Sequence, residues 1–453
     1  MTEKKYIFVY GAGISGQGVA EVLARHGKKV ILYNDEPRQV DPTVAKLLEK
    51  TGGLVVMKQD PTPYLKASFY AIISPGIPFT SATAQKAKAL GVEVIGEVEQ
   101  ASRLYKGKWV GVTGTNGKTT TTTLLGEMLA TLPVKTAVGG NIGFALSKET
   151  EKLDADSYIV AELSSFQLEG ITSLRVNIAL LLNITPDHIE RHGNMANYIA
   201  AKANIFKYQT RNDVLILNAD DPIVSGFASQ AKGRVCFISC HKLLPAGVYI
   251  EDGKFTLNLD GKKQVVCPVE DMKIFGAHNE QNALGAIACA YFAGVTVENM
   301  AKILRNFQGV EHRIEYVRTI KGVPYYNDSK ATNTDSTIKA LEAFKDGHVI
   351  LLAGGHDKMT DLTEMMNLVK TKTDALILLG EAKDRFNKAA LAAGVEHIYL
   401  VDSFQAAVDK AYALAKAPQV VLLSPACSSY DMFDNFPHRG KVFKEMVNKL
   451  PSA

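Results

Sequence analysis

Short apolar runs rich in β-branched residues alternate with segments of helical periodicity along the whole chain. Runs of this density are typical of parallel strands that are buried on both faces of a sheet. Examples lie at residues 7–10, 30–33, 71–74, 109–113, 158–162, 178–184, 214–217, 349–353, 375–379 and 420–424. Because strands and helices alternate throughout, the pattern predicts an α/β fold.

Two breaks in this alternation predict three domains. The first break falls at residues 96–108, and the second falls at 307–311, after a helical segment at 279–292. We therefore expect a Rossmann-like domain at 1–98, a central phosphate-loop domain with a mostly parallel sheet at 99–309, and a Rossmann-like α/β domain at 310–453. Within the central domain, residues 233–275 alternate apolar and polar positions around Asp-Gly pairs, which predicts antiparallel hairpins.

Composition excludes several classes of function. The 453 residues are 46% apolar and 22% charged, as in an ordinary soluble globular protein. The net charge of +4 is small, and no basic run indicates nucleic-acid binding. Five scattered cysteines argue against a disulfide framework, and no apolar run is long enough to span a membrane. The first residues run straight into a strand without a signal peptide, so we expect a cytoplasmic protein.

The strongest local motif, GVTGTNGKTT at residues 111–120, follows a predicted strand and opens a predicted helix. Backbone N–H groups of such a loop surround phosphates, and the helix N-terminus adds positive potential. Lys118 would reach the terminal phosphates, and the Thr119 hydroxyl would bind Mg²⁺. Val112 stands where the common pattern has glycine, which leaves a tighter form of the loop. Its residues are Gly114, Thr115, Asn116, Gly117, Lys118, Thr119 and Thr120.

A second glycine-rich turn, GAGISG at residues 11–16, follows the first predicted strand, and Asp35 lies about twenty residues further on. This spacing is the dinucleotide fingerprint. The same turn also suits any nucleoside diphosphate, or no ligand at all. A nicotinamide-dependent oxidoreductase is therefore one alternative, although it leaves the phosphate loop unexplained. Ser74, in a turn after another predicted strand, would add contacts on the same sheet edge.

Three ionisable residues of the central domain are ambiguous when taken alone. Glu162 ends a predicted strand, where a Mg²⁺ ligand belongs, but a capping or ion-paired glutamate is the alternative. His188 follows another strand, and its His-x-Glu-x-His spacing to His192 is not the metalloprotease motif. Lys202 lies on a predicted helix, and base rates favour a solvated surface lysine there.

Several polar groups follow strands of the third domain. Arg313 and Lys330 would approach phosphates, and Asp328 would accept hydrogen bonds from ribose hydroxyls. The turns GGHDK at 354–358 and SPACSSYDMFDNF at 424–436 also follow predicted strands. Each of them is also consistent with a plain turn, but together they place cationic and hydroxyl groups at one sheet edge, which favours an anion site.

These motifs together resemble the Mur ligase family. The resemblance rests on GTNGKT at 114–119, ELSSFQ at 162–167, NITPDH at 183–188, GAHNEQNA at 276–283, HR at 312–313 and DSKATN at 328–333. It is strongest to the branch that joins D-glutamate to UDP-N-acetylmuramoyl-L-alanine, because of the first domain, DSKATN and the 424–433 segment. It implies ATP-dependent ligation through an acyl phosphate by a monomer, with two Mg²⁺ ions.

The resemblance also implies a role for each matching residue. Ile14, Ser15, Asp35 and Ser74 would hold the UDP moiety. Thr119, Glu162, His188 and a carbamylated Lys202 would serve the Mg²⁺ ions, and Asn141 and His188 would contact the substrate. Asn279 and Asn282 would face adenine, Arg313 and Lys330 the phosphates, and Asp328 the ribose. D-glutamate would be surrounded by Thr332, Lys358, Ser429, Tyr430 and Phe436. The catalytic set would be Lys118, Asn141, Glu162, His188 and Lys202.

Two further alternatives remain at this point. A non-catalytic nucleotide-binding module would explain the glycine-rich loops but not the polar cluster of the third domain. A neighbouring Mur ligase that adds L-alanine or a diamino acid would share most motifs, and only the third-domain loops argue against it.

Overall fold

A computed structural model describes residues 3–141, 145–274 and 276–451. It contains three sheets, each with helices on its faces, which confirms the predicted α/β class. The chain forms two compact units, Met1–Lys273 with Asn279–Phe307 and Ile274–His278 with Gln308–Ala453. The first unit holds two of the sheets and the second unit holds the third. The boundaries of the three predicted domains remain predictions.

The first sheet has five parallel strands in the order β3-β2-β1-β4-β5. Its strands are β1 Tyr6–Tyr10, β2 Val30–Asn34, β3 Leu54–Met57, β4 Ser68–Ile73 and β5 Glu93–Gly96. Its helices are α1 Ile14–Arg25, α2 Pro42–Lys50, α3 Thr62–Lys66, α4 Ala82–Ala89 and α5 Glu97–Leu104. The strand order reverses between β1 and β4, so the turns after these two strands border the crevice where open α/β sheets bind ligands.

The second sheet has nine strands in the order β14-β13-β12-β11-β10-β9-β6-β8-β7. They are β6 Lys108–Thr113, β7 Thr136–Gly140, β8 Tyr158–Glu162, β9 Ile178–Leu181, β10 Val214–Asn218, β11 Arg234–Ser239, β12 Gly247–Glu251, β13 Lys254–Leu259 and β14 Lys262–Pro268. The antiparallel prediction for residues 233–275 is confirmed for β12 to β14. It is wrong for β11, which lies parallel to both neighbours because residues 240–246 carry the chain back before β12 begins.

Eight helices of the described chain accompany this sheet: α6 Lys118–Leu129, α7 Leu146–Thr150, α8 Ser165–Glu169, α9 Ile189–His192, α10 Met195–Ala203, α11 Pro222–Gly226, α12 Ala277–Ala293 and α13 Val297–Asn306. Three 3₁₀ turns lie at Asn204–Phe206, Phe227–Gln230 and Val269–Asp271. One core cluster packs β6, β8, β9 and β10 against α8 and α10. The apolar residues of these strands are almost fully buried, as their uninterrupted apolar runs predict.

The third sheet has six strands in the order β15-β16-β20-β17-β18-β19. They are β15 Glu315–Ile320, β16 Val323–Asn327, β17 Val349–Gly354, β18 Thr373–Leu379, β19 Ile398–Leu400 and β20 Val420–Leu423. Its helices are α14 Thr334–Glu342, α15 Thr363–Lys372, α16 Lys383–Ala393, α17 Phe404–Leu414 and α18 Phe436–Lys449. The β15–β16 hairpin was absent from the strand prediction, although Lys321 and Gly322 both adopt positive φ at its turn.

Across the part of the chain that the structure describes, no helix combines the length and the apolar character needed to cross a membrane.

Candidate functional site

The phosphate loop joins β6 to α6, as the sequence predicts. Gly117 precedes the helix with φ +81°, and a Cβ atom there would lie 2.0 Å from Asn282 Oδ1. Only glycine fits this position without displacing a neighbour. The amide N–H groups of Thr115 and Asn116 donate to the carbonyl (2.9 Å) and side-chain oxygen (2.8 Å) of Asn183. The loop is thus fastened to the segment that follows β9.

Two lysine ammonium groups converge on this loop. Lys118 Nζ donates to the carbonyl oxygens of Gly114 at 2.9 Å and Thr115 at 2.7 Å. Lys202 Nζ, on α10, donates to the same Gly114 oxygen at 2.6 Å. Lys202 is only 1% exposed, so the expectation of a solvated surface lysine is wrong: α10 packs this face into the core. Burial, with the Lys118 charge close by, lowers the pKa of the Lys202 ammonium well below its usual value.

Glu162 lies at the end of β8 and is 1% exposed. Its Oε1 atom accepts a 2.8 Å hydrogen bond from Asn141 Nδ2, whose backbone N–H donates to the Glu162 carbonyl at 2.9 Å. Its Oε2 atom is buried and has no hydrogen-bond partner among the described residues. Glu162 is neither a helix cap nor part of an ion pair within the described chain. A buried carboxylate oxygen without a donor fits a cation site.

The two histidines of the His-x-Glu-x-His segment have different environments. The His188 side chain is 47% exposed, its backbone has φ +52°, and its ring lies 4.9 Å from that of Phe166. His192 is buried, with Nδ1 3.1 Å from Glu169 and Nε2 2.9 Å from Ser165 Oγ. Both His192 nitrogens are therefore engaged in packing contacts, whereas the His188 ring is accessible to a ligand.

Helix α12 places the two predicted adenine-facing residues beside the phosphate loop. Asn282 and Asn279 are buried, and Asn282 Nδ2 donates to Asn279 Oδ1 at 3.0 Å. Asn282 Oδ1 has no hydrogen-bond partner among the described residues. It is the atom closest to the position that a Gly117 Cβ would occupy. The structure thus brings Asn279, Asn282, Lys118 and Lys202 to one loop.

The first glycine turn is held against β4 by Ser74. Ser74 Oγ donates to the Gly11 carbonyl at 3.2 Å, and a Cβ on Gly16 would lie 1.7 Å from that same oxygen. This close approach accounts for the glycine spacing of the fingerprint. Ile14 is 85% exposed at the start of α1, and Ser15 beside it is half-buried. The predicted UDP-binding residues therefore lie at the reversal of strand order, with Ile14 and Ser15 after β1 and Ser74 after the neighbouring strand β4.

Asp35 follows β2 and accepts hydrogen bonds from three side chains. Tyr10 and Thr83 donate from neighbouring elements, Thr83 at 2.9 Å, and Tyr33 donates at 3.1 Å. Burial and the Asp35 charge raise the pKa of Tyr33 to about 12, which keeps it a donor. These partners were missed in the sequence, where Tyr10 and Tyr33 had only their position near the ends of adjacent strands as a signal, and Thr83 on α4 had none.

Two further residues, Asn34 and Arg38, lie near the first glycine turn. Asn34 Oδ1 accepts from the Ala12 amide at 3.1 Å, and the Arg38 guanidinium carbon lies 4.0 Å from the position of a Gly13 Cβ. Asn34 shapes the backbone of the turn, and Arg38 adds a positive charge beside it. Both residues lie close to Asp35 in the sequence, but this proximity does not determine which side chain points toward the loop.

In the second unit, Asp328 lies after β16 and is fully enclosed. Its carboxylate accepts from the Ile314 amide at 3.2 Å and from Ser424 Oγ at 2.8 Å. Burial raises the pKa of Asp328 to about 7, although the Arg313 charge acts in the opposite direction. Arg313 is half-buried, and its Nε atom has no hydrogen-bond partner among the described residues. Arg313 and Asp328 are thus neighbours, joined through the backbone of Ile314.

The residues predicted to bind D-glutamate lie in the loops around the N-terminus of α18. Lys330 Nζ lies 5.6 Å from the Phe436 ring centre, Ser429 is buried, and Tyr430 is 72% exposed. Thr332 and Lys358 are half-buried. In the described chain, no side-chain hydrogen bond joins Thr332, Lys358 or Tyr430 to another predicted site residue. The sequence prediction missed Arg439, which donates to the carbonyls of Ser329 (2.8 Å) and Cys427 (3.1 Å) and so connects two of these loops.

Comparison with known proteins places these features in a family. Residues 112–290 match the Mur ligase middle domain, and residues 312–427 match the Mur ligase, glutamate ligase domain. The chain is 43% identical to UDP-N-acetylmuramoylalanine--D-glutamate ligase of Caldanaerobacter subterraneus subsp. tengcongensis, over 99% of both chains. It is 41% identical to the protein of that name from Pelotomaculum thermopropionicum, over 99% of this chain and 98% of the other.

Solved structures show a similar fold at much lower identity. The UDP-N-acetylmuramate-alanine ligase of Thermotoga maritima aligns with a TM-score of 0.61 and 19% identity, over 98% of this chain and 99% of that chain. A pseudomurein peptide ligase type C from Methanothermus fervidus aligns with a TM-score of 0.61 and 18% identity, over 99% and 100%.

Fold and site together define an α/β phosphate-loop protein. Two lysines converge on its loop, and a carboxylate at the end of a parallel strand has one oxygen without a partner among the described residues. The identity over the whole chain makes the assignment specific: this chain belongs to the Mur ligase family.

Proposed function

We propose that this protein joins D-glutamate to UDP-N-acetylmuramoyl-L-alanine with cleavage of ATP to ADP and phosphate. The observation that carries the proposal is the identity of about 40% along the full chain to relatives that are named for this ligation. The phosphate loop supports the use of ATP, since its amides, helix N-terminus and Lys118 suit a triphosphate.

The pKa of Lys202 supports the proposal that this residue is carbamylated. A carbamate forms when a neutral amine attacks CO₂, and an ammonium group cannot do so. Burial and the Lys118 charge favour the neutral amine at Lys202. The product would be an anion in place of a second buried cation, which would remove the repulsion between Lys118 and Lys202.

The donor set of the first unit fits Mg²⁺. Glu162 contributes the buried Oε2 atom without a hydrogen-bond partner, and Thr119 and a carbamylated Lys202 would add oxygen ligands of the kind that Mg²⁺ prefers. His188 is exposed enough to contribute a nitrogen. When bound, the two proposed ions would neutralise phosphate charge. Asn141, bonded to Glu162, would orient that carboxylate and contact the substrate.

The proposed reaction has two steps. The alanyl carboxylate attacks the γ-phosphorus of ATP, the bond to the β-phosphate oxygen breaks, and an acyl phosphate and ADP form. The neutral D-glutamate amine then attacks the acyl carbon, phosphate leaves, and the amine gives up a proton. Lys118 and Arg313 would stabilise the charge on the transferred phosphoryl group. His188 is a candidate to accept the amine proton, since its ring is accessible.

The remaining roles follow the family positions. Ile14 and Ser15 after β1, Ser74 after β4 and Asp35 after β2 would bind UDP. Asn279 and Asn282 would face adenine. Lys330 would bind phosphate and Asp328 ribose. Thr332, Lys358, Ser429, Tyr430 and Phe436 would surround D-glutamate. We also propose that the protein acts as a monomer in the cytoplasm.

Phosphate release from ATP is the direct test. Purified protein is incubated with Mg-ATP and UDP-N-acetylmuramoyl-L-alanine, and D-glutamate, L-glutamate, L-alanine and a diamino acid are added one at a time. We expect release and a new amide product, identified by mass spectrometry, with D-glutamate alone. Turnover only with another amino acid would indicate a neighbouring ligase, and no ATP turnover with any of them would favour a binding module. A nicotinamide-dependent absorbance change would support the oxidoreductase alternative.

A further inference from the structure

Arg313 lies in a turn with an unusual backbone. The residues on either side of it, His312 and Ile314, have φ of +67° and +41°. Left-handed backbone is unfavourable for L-residues, and a β-branched isoleucine is among the least suited to it. Such conformations persist where surrounding contacts hold them, and they cluster at functional sites. The chain therefore contains contacts that keep Arg313 in this orientation.

Two carboxylates hold the turn, one on each side of Arg313. The His312 amide donates to Glu315 Oε2 at 2.9 Å, and the Ile314 amide donates to Asp328 Oδ1 at 3.2 Å. Asn327 Nδ2 also donates to Glu315 Oε2 at 2.9 Å. Glu315 thereby links the turn to the end of β16. Removing it would leave the His312 amide without its acceptor, and His312 is only 6% exposed.

Lys444, on α18, fixes the other oxygen of Glu315. Its Nζ atom donates to Glu315 Oε1 at 2.8 Å and to Glu311 Oε1 at 2.5 Å. Glu311, His312 and Glu315 lie close enough together to bind a metal ion, but the Lys444 ammonium already forms ion pairs with both carboxylates. The Lys444 ammonium thus bridges the two carboxylates and connects them to α18.

We propose that Glu315, held by Lys444, is a positioning residue for Arg313. It fixes the left-handed backbone of His312 and so orients the guanidinium, whose buried Nε has no hydrogen-bond partner among the described residues. The inference rests on the proposed function only in taking ATP phosphate as the ligand of Arg313. Glu315 itself contacts neither nucleotide nor amino acid in this role.

A double-mutant cycle on the full chain tests this role. Mg-ATP affinity and the rate of D-glutamate-dependent phosphate release are measured for wild type, Glu315→Ala, Arg313→Ala and the double variant. We expect Glu315→Ala to lower turnover roughly 10–100-fold, as small misplacements of a charge-stabilising group do. In the Arg313→Ala background, the same change should cost less than about twofold, since no guanidinium remains to be positioned. If the fold-losses of the two single variants multiply in the double variant, for both Mg-ATP affinity and turnover, the proposal is overturned.

Two further variants guard against a general loss of stability. If Glu315→Ala does not fold, Lys444→Met takes its place in the cycle. We expect Lys444→Met to lower turnover by a smaller factor than Glu315→Ala would. In the Arg313→Ala background, Lys444→Met should not lower turnover further. The exposed pair of Lys339 and Glu342, 3.0 Å apart, provides the control Glu342→Ala, which should leave both measurements unchanged. Because Mg-ATP affinity needs no second substrate, a wild type that binds ATP but does not use D-glutamate would refute the proposed function while the cycle still decides the role of Glu315.

Discussion

Replacing Gly117 by alanine should damage the phosphate loop, and the structure gives the magnitude. Left-handed backbone at φ +81° costs an L-residue about 1–2 kcal/mol. The new Cβ would lie 2.0 Å from Asn282 Oδ1, and overpacking of this kind costs about 1–3 kcal/mol. This overpacking cost includes the loss of the 3.0 Å hydrogen bond from Asn282 to Asn279 if Asn282 moves away. We expect a destabilisation of about 2–5 kcal/mol.

Thermal unfolding and ATP kinetics measure this effect. The midpoint of unfolding should fall by at least about 4 °C, and the KM for ATP should rise at least about tenfold because the loop amides move. Gly226→Ala is the matched control, since a Cβ there meets nothing within 4 Å and its φ is −62°. Adding Asn282→Ala to Gly117→Ala should recover the packing part of the loss but not the backbone part. Wild-type stability and ATP affinity in Gly117→Ala would refute this account of the loop.

Three further outcomes follow from the site. Lys118→Ala should lower ligation by at least about 10²–10³-fold at unchanged secondary structure, and near-normal phosphate release would contradict its assigned role. Lys202→Ala should lose activity and regain part of it with added short carboxylates such as formate, because these replace a carbamate. If titration with formate restores no activity, the result counts against carbamylation. Asp328 has a folded pKa of about 7 against an ordinary value of 3.8, so the unfolded chain ionises first. Its contribution to stability should decline by up to about 4 kcal/mol as pH rises from about 4 to about 7, and Asp328→Asn should flatten the curve of stability against pH in that range.

The sequence predicted the fold class and the positions of the main strands because buried parallel strands leave uninterrupted apolar runs. It also predicted the phosphate loop, where glycine, lysine and hydroxyl residues stand between a strand and a helix. It missed the β15–β16 hairpin, whose strands are half-exposed and therefore carry a weaker apolar signal. It also made the strand at 178–184 too long, since β9 ends at Leu181. Beyond it, Asn183 turns to bond the phosphate loop.

Local sequence determined what depends on neighbouring residues: the periodicity of strands and helices, the glycines of tight turns and the helix that begins at Lys118. Only tertiary structure decided what depends on distant residues. The sequence predicts that Lys202 is a surface lysine, but α10 packs it beside Gly114, which lies 88 positions earlier in the chain. The sequence placed Glu162 where a Mg²⁺ ligand belongs, but only the packing around β8 shows that its Oε2 atom is buried without a partner among the described residues. The charge state of a side chain is set by solvation and by nearby charges, and both are properties of the folded chain.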